Sequence, residues 1–70
     1  NKTIVDTNEE LGTHLPEGEY QTVAGLILKE LGRIPKVAEF VEINDIRLTV
    51  NSLIGVKLDK IEIEDLRVIE

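Results

Sequence analysis

The 70-residue chain contains no cysteine, no methionine and no tryptophan. Without cysteine it can form neither a disulfide framework nor a thiolate metal site, and it has no cysteine nucleophile. This composition is compatible with a reducing compartment, so we expect a cytosolic domain. Because methionine is missing even at position 1, we expect residues 1–70 to be a single domain excised from a longer protein.

Long hydrophobic runs are also missing. The longest apolar run, Val23 to Leu28, is far shorter than the roughly 20 residues that a membrane-spanning helix needs. The chain also has no basic segment followed by a cleavable apolar stretch, which is the pattern of a signal peptide. We therefore expect no direct membrane insertion by this segment.

Basic residues are few: 8 Lys and Arg stand against 14 Asp and Glu, which gives a formal net charge of -6. A surface that binds nucleic acid must neutralise phosphates with Lys and Arg. The charge balance has the wrong sign for that role, so we expect no nucleic-acid partner.

Aliphatic side chains make up most of the apolar content. The hydrophobic fraction is 41%, and Tyr20 and Phe40 are the only aromatic residues. A chain of this length supports a single thin core, and the abundance of Ile and Val suits β-strands. We therefore expect one small domain whose stability would benefit from a partner or a parent chain.

The pattern in the first half of the chain predicts two short helices. The first spans Thr3–Leu11, with its first residue as the cap and Gly12 as the stop. The second begins near Thr22, whose side chain is a suitable N-cap, and ends at Gly32. Apolar residues cover most of its circumference, which predicts a central buried helix.

The second half of the chain has the two-residue period of β-strands. Phe40–Ile43 and Ile46–Leu53 are predicted to form a hairpin, because Asn44-Asp45 between them tolerates positive φ. Gly55 marks a second turn, after which a third antiparallel strand follows. The residues expected to share the buried faces of the first two strands are Val37, Val41, Ile43, Ile46, Leu48, Val50 and Ile54. The fold class is therefore α+β, with two short helices packed on a small antiparallel sheet.

The run from Leu15 to Ile43 is the most informative part of the chain. It contains an acidic turn, a short apolar helix, a Gly-Arg-Ile-Pro stop and the beginning of a strand. This order resembles the transporter-associated domain at the C-terminus of CorC/HlyC-type proteins, and the match continues without a gap from Asn8 to Ile63. The residues that carry it most specifically are Leu15-Pro16, Tyr20, Thr22, Ala24-Gly25 and Leu31-Gly32-Arg33-Ile34-Pro35.

The resemblance implies a parent protein and a function. The family consists of hemolysin-like membrane proteins with paired CBS modules, linked to magnesium and cobalt efflux, and its fold is similar to part of the PCMH-type FAD-binding domains. The expected function is a non-catalytic accessory and regulatory domain at the cytoplasmic face of the membrane. Its expected partners are the CBS module and membrane domain of its own parent, with a homodimer as a further possibility. The apolar tail Leu66 to Ile69 is a candidate to cover a neighbour's sheet edge.

A small-ligand module for an adenine nucleotide or a flavin is the alternative that the fold likeness raises. The glycines are spread singly, so none forms a phosphate-binding loop, and we expect no resident cofactor. Arg33 is the candidate ligand for an anion, but its position after Gly32 equally suits an interaction with the helix C-terminal dipole.

Glu62 and Glu64 are the candidate metal ligands. Two residues apart on a strand, their side chains share a face roughly 7 Å apart, so a water-bridged Mg²⁺ or Ca²⁺ could bind weakly. A solvated face explains them more simply. His14 is the only histidine and Ser52 lacks a histidine partner, so we nominate no catalytic residue and expect no enzyme.

Five residues are expected to act structurally. Tyr20 would fasten the loop before the second helix to the core, and Gly25 would let a strand or a neighbouring helix approach the backbone closely. The complete set is Tyr20, Gly25, Gly32, Pro35 and Gly55.

Overall fold

Two helices and a three-stranded antiparallel sheet form the fold, as the sequence predicts. The computed structural model describes residues 3–17 and 22–67. The strands follow one another in the sheet in the order β1-β2-β3. The elements are α1 (Ile4–Leu11), α2 (Val23–Leu31), β1 (Phe40–Ile43), β2 (Ile46–Ile54) and β3 (Lys57–Asp65).

Both helices begin and end at the residues that the sequence indicates. Thr3 and Thr22 are the N-caps, and each side chain accepts a hydrogen bond of 3.1 Å from the backbone N–H three residues ahead. Gly12 and Gly32 end the helices with φ of 64° and 69°, a conformation that glycine adopts without steric cost. Thr3 and Thr22 also form an antiparallel bridge, so the two helices begin side by side.

The turn between β1 and β2 has the predicted chemistry. Asn44 and Asp45 have φ of 51° and 64°, and the pair Ile43 and Ile46 closes the hairpin. Two successive positive φ values are the signature of the type I′ turn, whose twist matches that of the strands. The turn between β2 and β3 contains Gly55, with φ of 59°.

One face of the sheet packs against the helices. Leu48 and Val50 at its centre are fully buried, as are Leu26 and Ile27 of α2. Burying an aliphatic side chain of this size contributes about 1.5 to 3 kcal/mol. The buried apolar core consists of Ile4, Leu15, Val23, Ala24, Leu26, Ile27, Ile46, Leu48, Val50 and Leu58. As predicted, it is aliphatic and small.

The structure corrects the predicted facing of three residues. Ile54 is exposed because the β2–β3 register shifts between Val50 and Leu53, and such a bulge breaks the alternation of the strand. Val37 lies in a turn before β1 and is exposed. Leu28 is also exposed, so α2 is buried along one side and not over most of its circumference.

The first and last residues of β2 provide a matched test of this correction. Ile46 is 1% exposed and Ile54 is 66% exposed, although the sequence assigns both to the buried face. We expect Ile46→Ala to lower the free energy of unfolding by about 2 to 5 kcal/mol, because it leaves a cavity. Ile54→Ala should cost less than about 1 kcal/mol. Equal losses in urea unfolding followed by circular dichroism would contradict the bulge.

Candidate functional site

The face of the sheet opposite the core, here called the outer face, is polar. Strand register places Glu42, Arg47 and Glu64 side by side in one row across all three strands. The next row contains Phe40, Thr49 and Glu62. All six side chains are exposed or half-buried. The outer face therefore presents three carboxylates around one central cation.

Arg47 connects the three strands across the outer face. Its Nε and Nη2 donate to Glu42 Oε2 at 2.9 and 2.7 Å, and its Nη1 lies 3.6 Å from Glu64 Oε1. The guanidinium carbon is 4.9 Å from the centroid of the Phe40 ring. Hydrogen bonding to Glu42 is the main cause that raises the pKa of Arg47. Because the pairs are exposed, they fix the geometry of the face more than they stabilise the fold.

Glu62 and Glu64, the predicted metal ligands, both lie exposed on the outer face. Glu64 is next to the Arg47 guanidinium, and Glu62 Oε1 accepts a hydrogen bond of 3.4 Å from Asn51 Nδ2. A fixed cation beside Glu64 opposes the binding of a second cation. Within residues 3–17 and 22–67, no group of three or more His, Cys, Asp or Glu could hold a metal ion. Metal binding at this pair stays a prediction.

Arg33, the predicted anion ligand, is held by Glu39. Arg33 Nη1 donates to Glu39 Oε1 at 2.9 Å, and Nη2 pairs with Oε2 in the same bidentate arrangement. The backbone N–H of Lys36 also donates to Glu39 Oε1, at 2.8 Å. The bond from Arg33 and then the bond from Lys36 lower the pKa of Glu39 to about 2. An external anion would therefore have to compete with this carboxylate for Arg33.

The Arg33–Glu39 pair closes the loop that leads into β1. At the end of this loop, Ala38 N–H donates to Val50 C=O at 2.7 Å, and Val50 N–H donates to Glu39 C=O at 2.9 Å. Ala38 has φ of 77°, which is unusual for a residue with a side chain. Pro35 is buried at the middle of the loop. The loop is thus anchored to the sheet at a strained backbone position.

Asn8 organises the loop after α1, a role that the sequence pattern did not predict. Its Oδ1 accepts hydrogen bonds of 2.9 Å from both Thr13 Oγ1 and Leu15 N–H, and its Nδ2 donates to Leu15 C=O at 3.0 Å. The one available signal was an asparagine inside a helix, where its propensity is poor. Asn44 Nδ2 then ties this loop to the β1–β2 turn through His14 C=O, at 2.6 Å.

Gly25 differs from its expected role. Among the described residues, a Cβ built at Gly25 would meet only Thr22 Oγ1, at 3.3 Å, and no atom of a strand or second helix within 4 Å. The tight contact is therefore with the helix's own cap, because Gly25 N–H donates to the Thr22 hydroxyl. Tyr20 lies outside the described residues.

Two further predicted features have partners within the chain. Leu66 N–H donates to Asp45 C=O at 2.8 Å, so the start of the predicted tail binds the chain's own β1–β2 turn, while residues 68–69 lie outside the described part. Ser52 Oγ donates to Asp59 Oδ2 at 3.0 Å, which links β2 to β3. This serine pairs with a carboxylate on the neighbouring strand.

Comparison with known proteins decides the family. The model for the CorC_HlyC transporter-associated domain matches residues 2–67. The chain belongs to this family. The resemblance read from the sequence is therefore confirmed. Of the helices described, neither α1 nor α2 has the length and apolarity needed to cross a bilayer.

Solved structures of the family have the same fold. The chain is similar to the transporter-associated domain of a Xylella fastidiosa Temecula1 hemolysin in complex with Mg²⁺ and Mn²⁺, at 32% identity and a TM-score of 0.80 over 93% of this chain and 78% of that one. It also matches a Neisseria meningitidis MC58 protein described as a Mg²⁺ and Co²⁺ transporter (CorC)-associated region, at 34% identity and a TM-score of 0.72. That match covers 80% of this chain and 69% of the other.

A curated relative is much longer than this chain. A UPF0053 protein of Synechocystis is 30% identical over 50 residues, which are 71% of this chain and 11% of that protein. The chain thus spans about a tenth of the relative's length. The family's transporter-associated domain is one small part of such a protein.

The chain's two alanines test the strain in the loop before β1. Ala38→Gly should raise the free energy of unfolding by up to about 1 kcal/mol, because glycine adopts a φ of 77° without steric cost. Ala24→Gly, inside α2, should lower it by about 1 kcal/mol or more. Thermal unfolding of the two variants checks this, and a destabilised Ala38→Gly protein would show that the loop is not strained.

Proposed function

We propose that the chain is a non-catalytic accessory and regulatory domain of a longer CorC/HlyC-type membrane protein, and that it acts by packing against other parts of that protein. The family match over residues 2–67 carries this proposal. The description of the Neisseria neighbour as a region associated with a Mg²⁺ and Co²⁺ transporter supports a connection with divalent-cation transport. The fixed charges of the outer face suit recognition of a protein surface.

In this proposal the domain lies at the cytoplasmic face of the membrane beside a CBS module. Its regulatory effect arises because it contacts one state of the transporter more favourably than another. A coupling of about 1 to 3 kcal/mol changes the balance of two states by roughly 5- to 150-fold. A small domain with a modest contact surface can supply free energy of this size.

Deletion of residues 1–70 from the longer protein tests the proposal. We expect the shortened protein to reach the membrane but to show altered Mg²⁺ or Co²⁺ efflux, measured by loss of the ion from loaded vesicles. Leu48→Asp at the centre of the core serves as a matched variant, because it unfolds the domain without shortening the chain. If transport and assembly are unchanged in both proteins, the proposed function is wrong.

Divalent-cation binding is a second candidate, favoured by the Mg²⁺ and Mn²⁺ complex of the Xylella neighbour. In this chain, Glu62 and Glu64 are the proposed ligands, with affinity in the millimolar range because few protein ligands are present. Arg47 beside Glu64 should weaken the site.

Paramagnetic broadening of amide signals by Mn²⁺ checks the cation hypothesis. We expect broadening that saturates around Glu62 and Glu64, disappears in Glu62→Gln and strengthens in Arg47→Gln. Glu9→Gln, an exposed carboxylate on α1, is the control and should leave the broadening unchanged. Unsaturable broadening near every exposed carboxylate would contradict a site.

A further inference from the structure

Exposed apolar side chains gather at one end of the molecule. Ile54 and Val56 at the β2–β3 turn are 66% and 68% exposed, and Ile34 and Val37 in the loop before β1 are 50% and 56% exposed. These four residues are here called the hairpin end. They include the two most exposed of the large hydrophobic side chains in the described residues.

The sheet places the loop before β1 and the β2–β3 turn towards the same end of the molecule. Val50 pairs with the last residues of the loop, Ala38 and Glu39. The remainder of β2 then extends beyond β1 and pairs with β3 up to Ile54 and Lys57. A nine-residue strand is about 26 Å long. This length is accommodated most easily along the 40 Å dimension of the 40 × 24 × 18 Å molecule, which places the β2–β3 turn towards one end.

The hairpin end is also where exposed lysines concentrate in an acidic chain. Lys36 lies in the loop before β1, Lys57 and Lys60 lie at the start of β3, and all three are exposed. In the described residues, the cations of the ion pairs are all arginines. The nearby carboxylate Asp59 accepts a hydrogen bond from Ser52. The whole chain has a net charge of -6, but this end is locally basic and apolar. A partner surface that complements it is therefore apolar and acidic.

Three kinds of partner could bind this end: a second copy of the chain, another part of the same polypeptide, or a lipid surface. An end of 24 × 18 Å is small beside the roughly 800 Å² of accessible surface per partner that a standard stable interface buries, so end-to-end pairing of two copies would be weak. A partner on the same polypeptide does not need that area, because tethering gives an effective concentration in the millimolar range. A lipid surface fits less well, because membrane-interface segments are rich in Trp and Tyr, and the four residues of the hairpin end include neither.

We propose that the hairpin end docks in a groove on another part of the same longer protein, a groove with an apolar floor and an acidic rim. This docking rests on the function proposed above. It is the contact through which the domain acts. Ile54 and Val56 enter the groove, and Lys57 and Lys60 face its carboxylates.

Hydrogen exchange measured by mass spectrometry, on the longer protein and on the 70-residue chain, tests the docking. Amides of residues 51–60 should exchange about tenfold more slowly in the longer protein. The double variants Ile54→Thr/Val56→Thr and Lys57→Glu/Lys60→Glu should each restore the rate of the 70-residue chain. Threonine keeps the β-branched shape, and unchanged melting of the 70-residue variants shows that they fold. Val5→Thr, at an exposed position on α1, is the control that should keep the protection.

Three results would overturn the docking. The first is equal exchange of residues 51–60 in the two proteins. The second is dimerisation of the 70-residue chain that depends on Ile54 and Val56 in sedimentation velocity, since the occupant would then be a second copy. The third is co-sedimentation with vesicles of phosphatidylcholine and phosphatidylserine in equal parts. If deletion of the domain alters efflux while these variants change nothing, only the docking surface is wrong; if deletion also has no effect, the proposed function is wrong.

Discussion

The contact between α2 and the centre of β2 is the interaction on which the rest of the structure depends. Leu26 and Ile27 of the helix and Leu48 and Val50 of the strand are all fully buried. With two short helices, the chain covers one sheet face and leaves the other to the Arg47 network. Because β1 has four residues and β2 has nine, the same arrangement leaves the end of the β2–β3 hairpin uncovered.

Features that depend on local sequence were predictable. The helix caps and the turn at Asn44-Asp45 follow from backbone preferences of single residues, so the sequence located them within a residue or two. The family could also be recognised from the sequence, because its motif lies in one continuous stretch between Leu15 and Pro35. These features together were sufficient for the fold class.

Features that depend on tertiary contacts were not predictable. The strand period placed Ile54 on the buried face, but a bulge in β2 exposes it to solvent. No residue type in β2 indicates that bulge. Arg33 has a side chain suited to binding an anion. Only the folded loop shows that this side chain already binds the carboxylate of Glu39. Asn8 binds Thr13 and Leu15, which lie beyond the end of α1, so the helix pattern does not predict these contacts. The candidate surfaces therefore come from the structure, and the family from the sequence.

Thiol accessibility tests whether the hairpin end of this domain packs against the longer protein. The chain has no cysteine, so Val56→Cys introduces its only thiol. We expect a maleimide to label position 56 much more slowly in the longer protein than in the 70-residue chain, whereas Val5→Cys on α1 should react equally in both. Equal labelling rates at position 56 in the two proteins would show that the hairpin end stays exposed in the longer protein and that the docking is wrong.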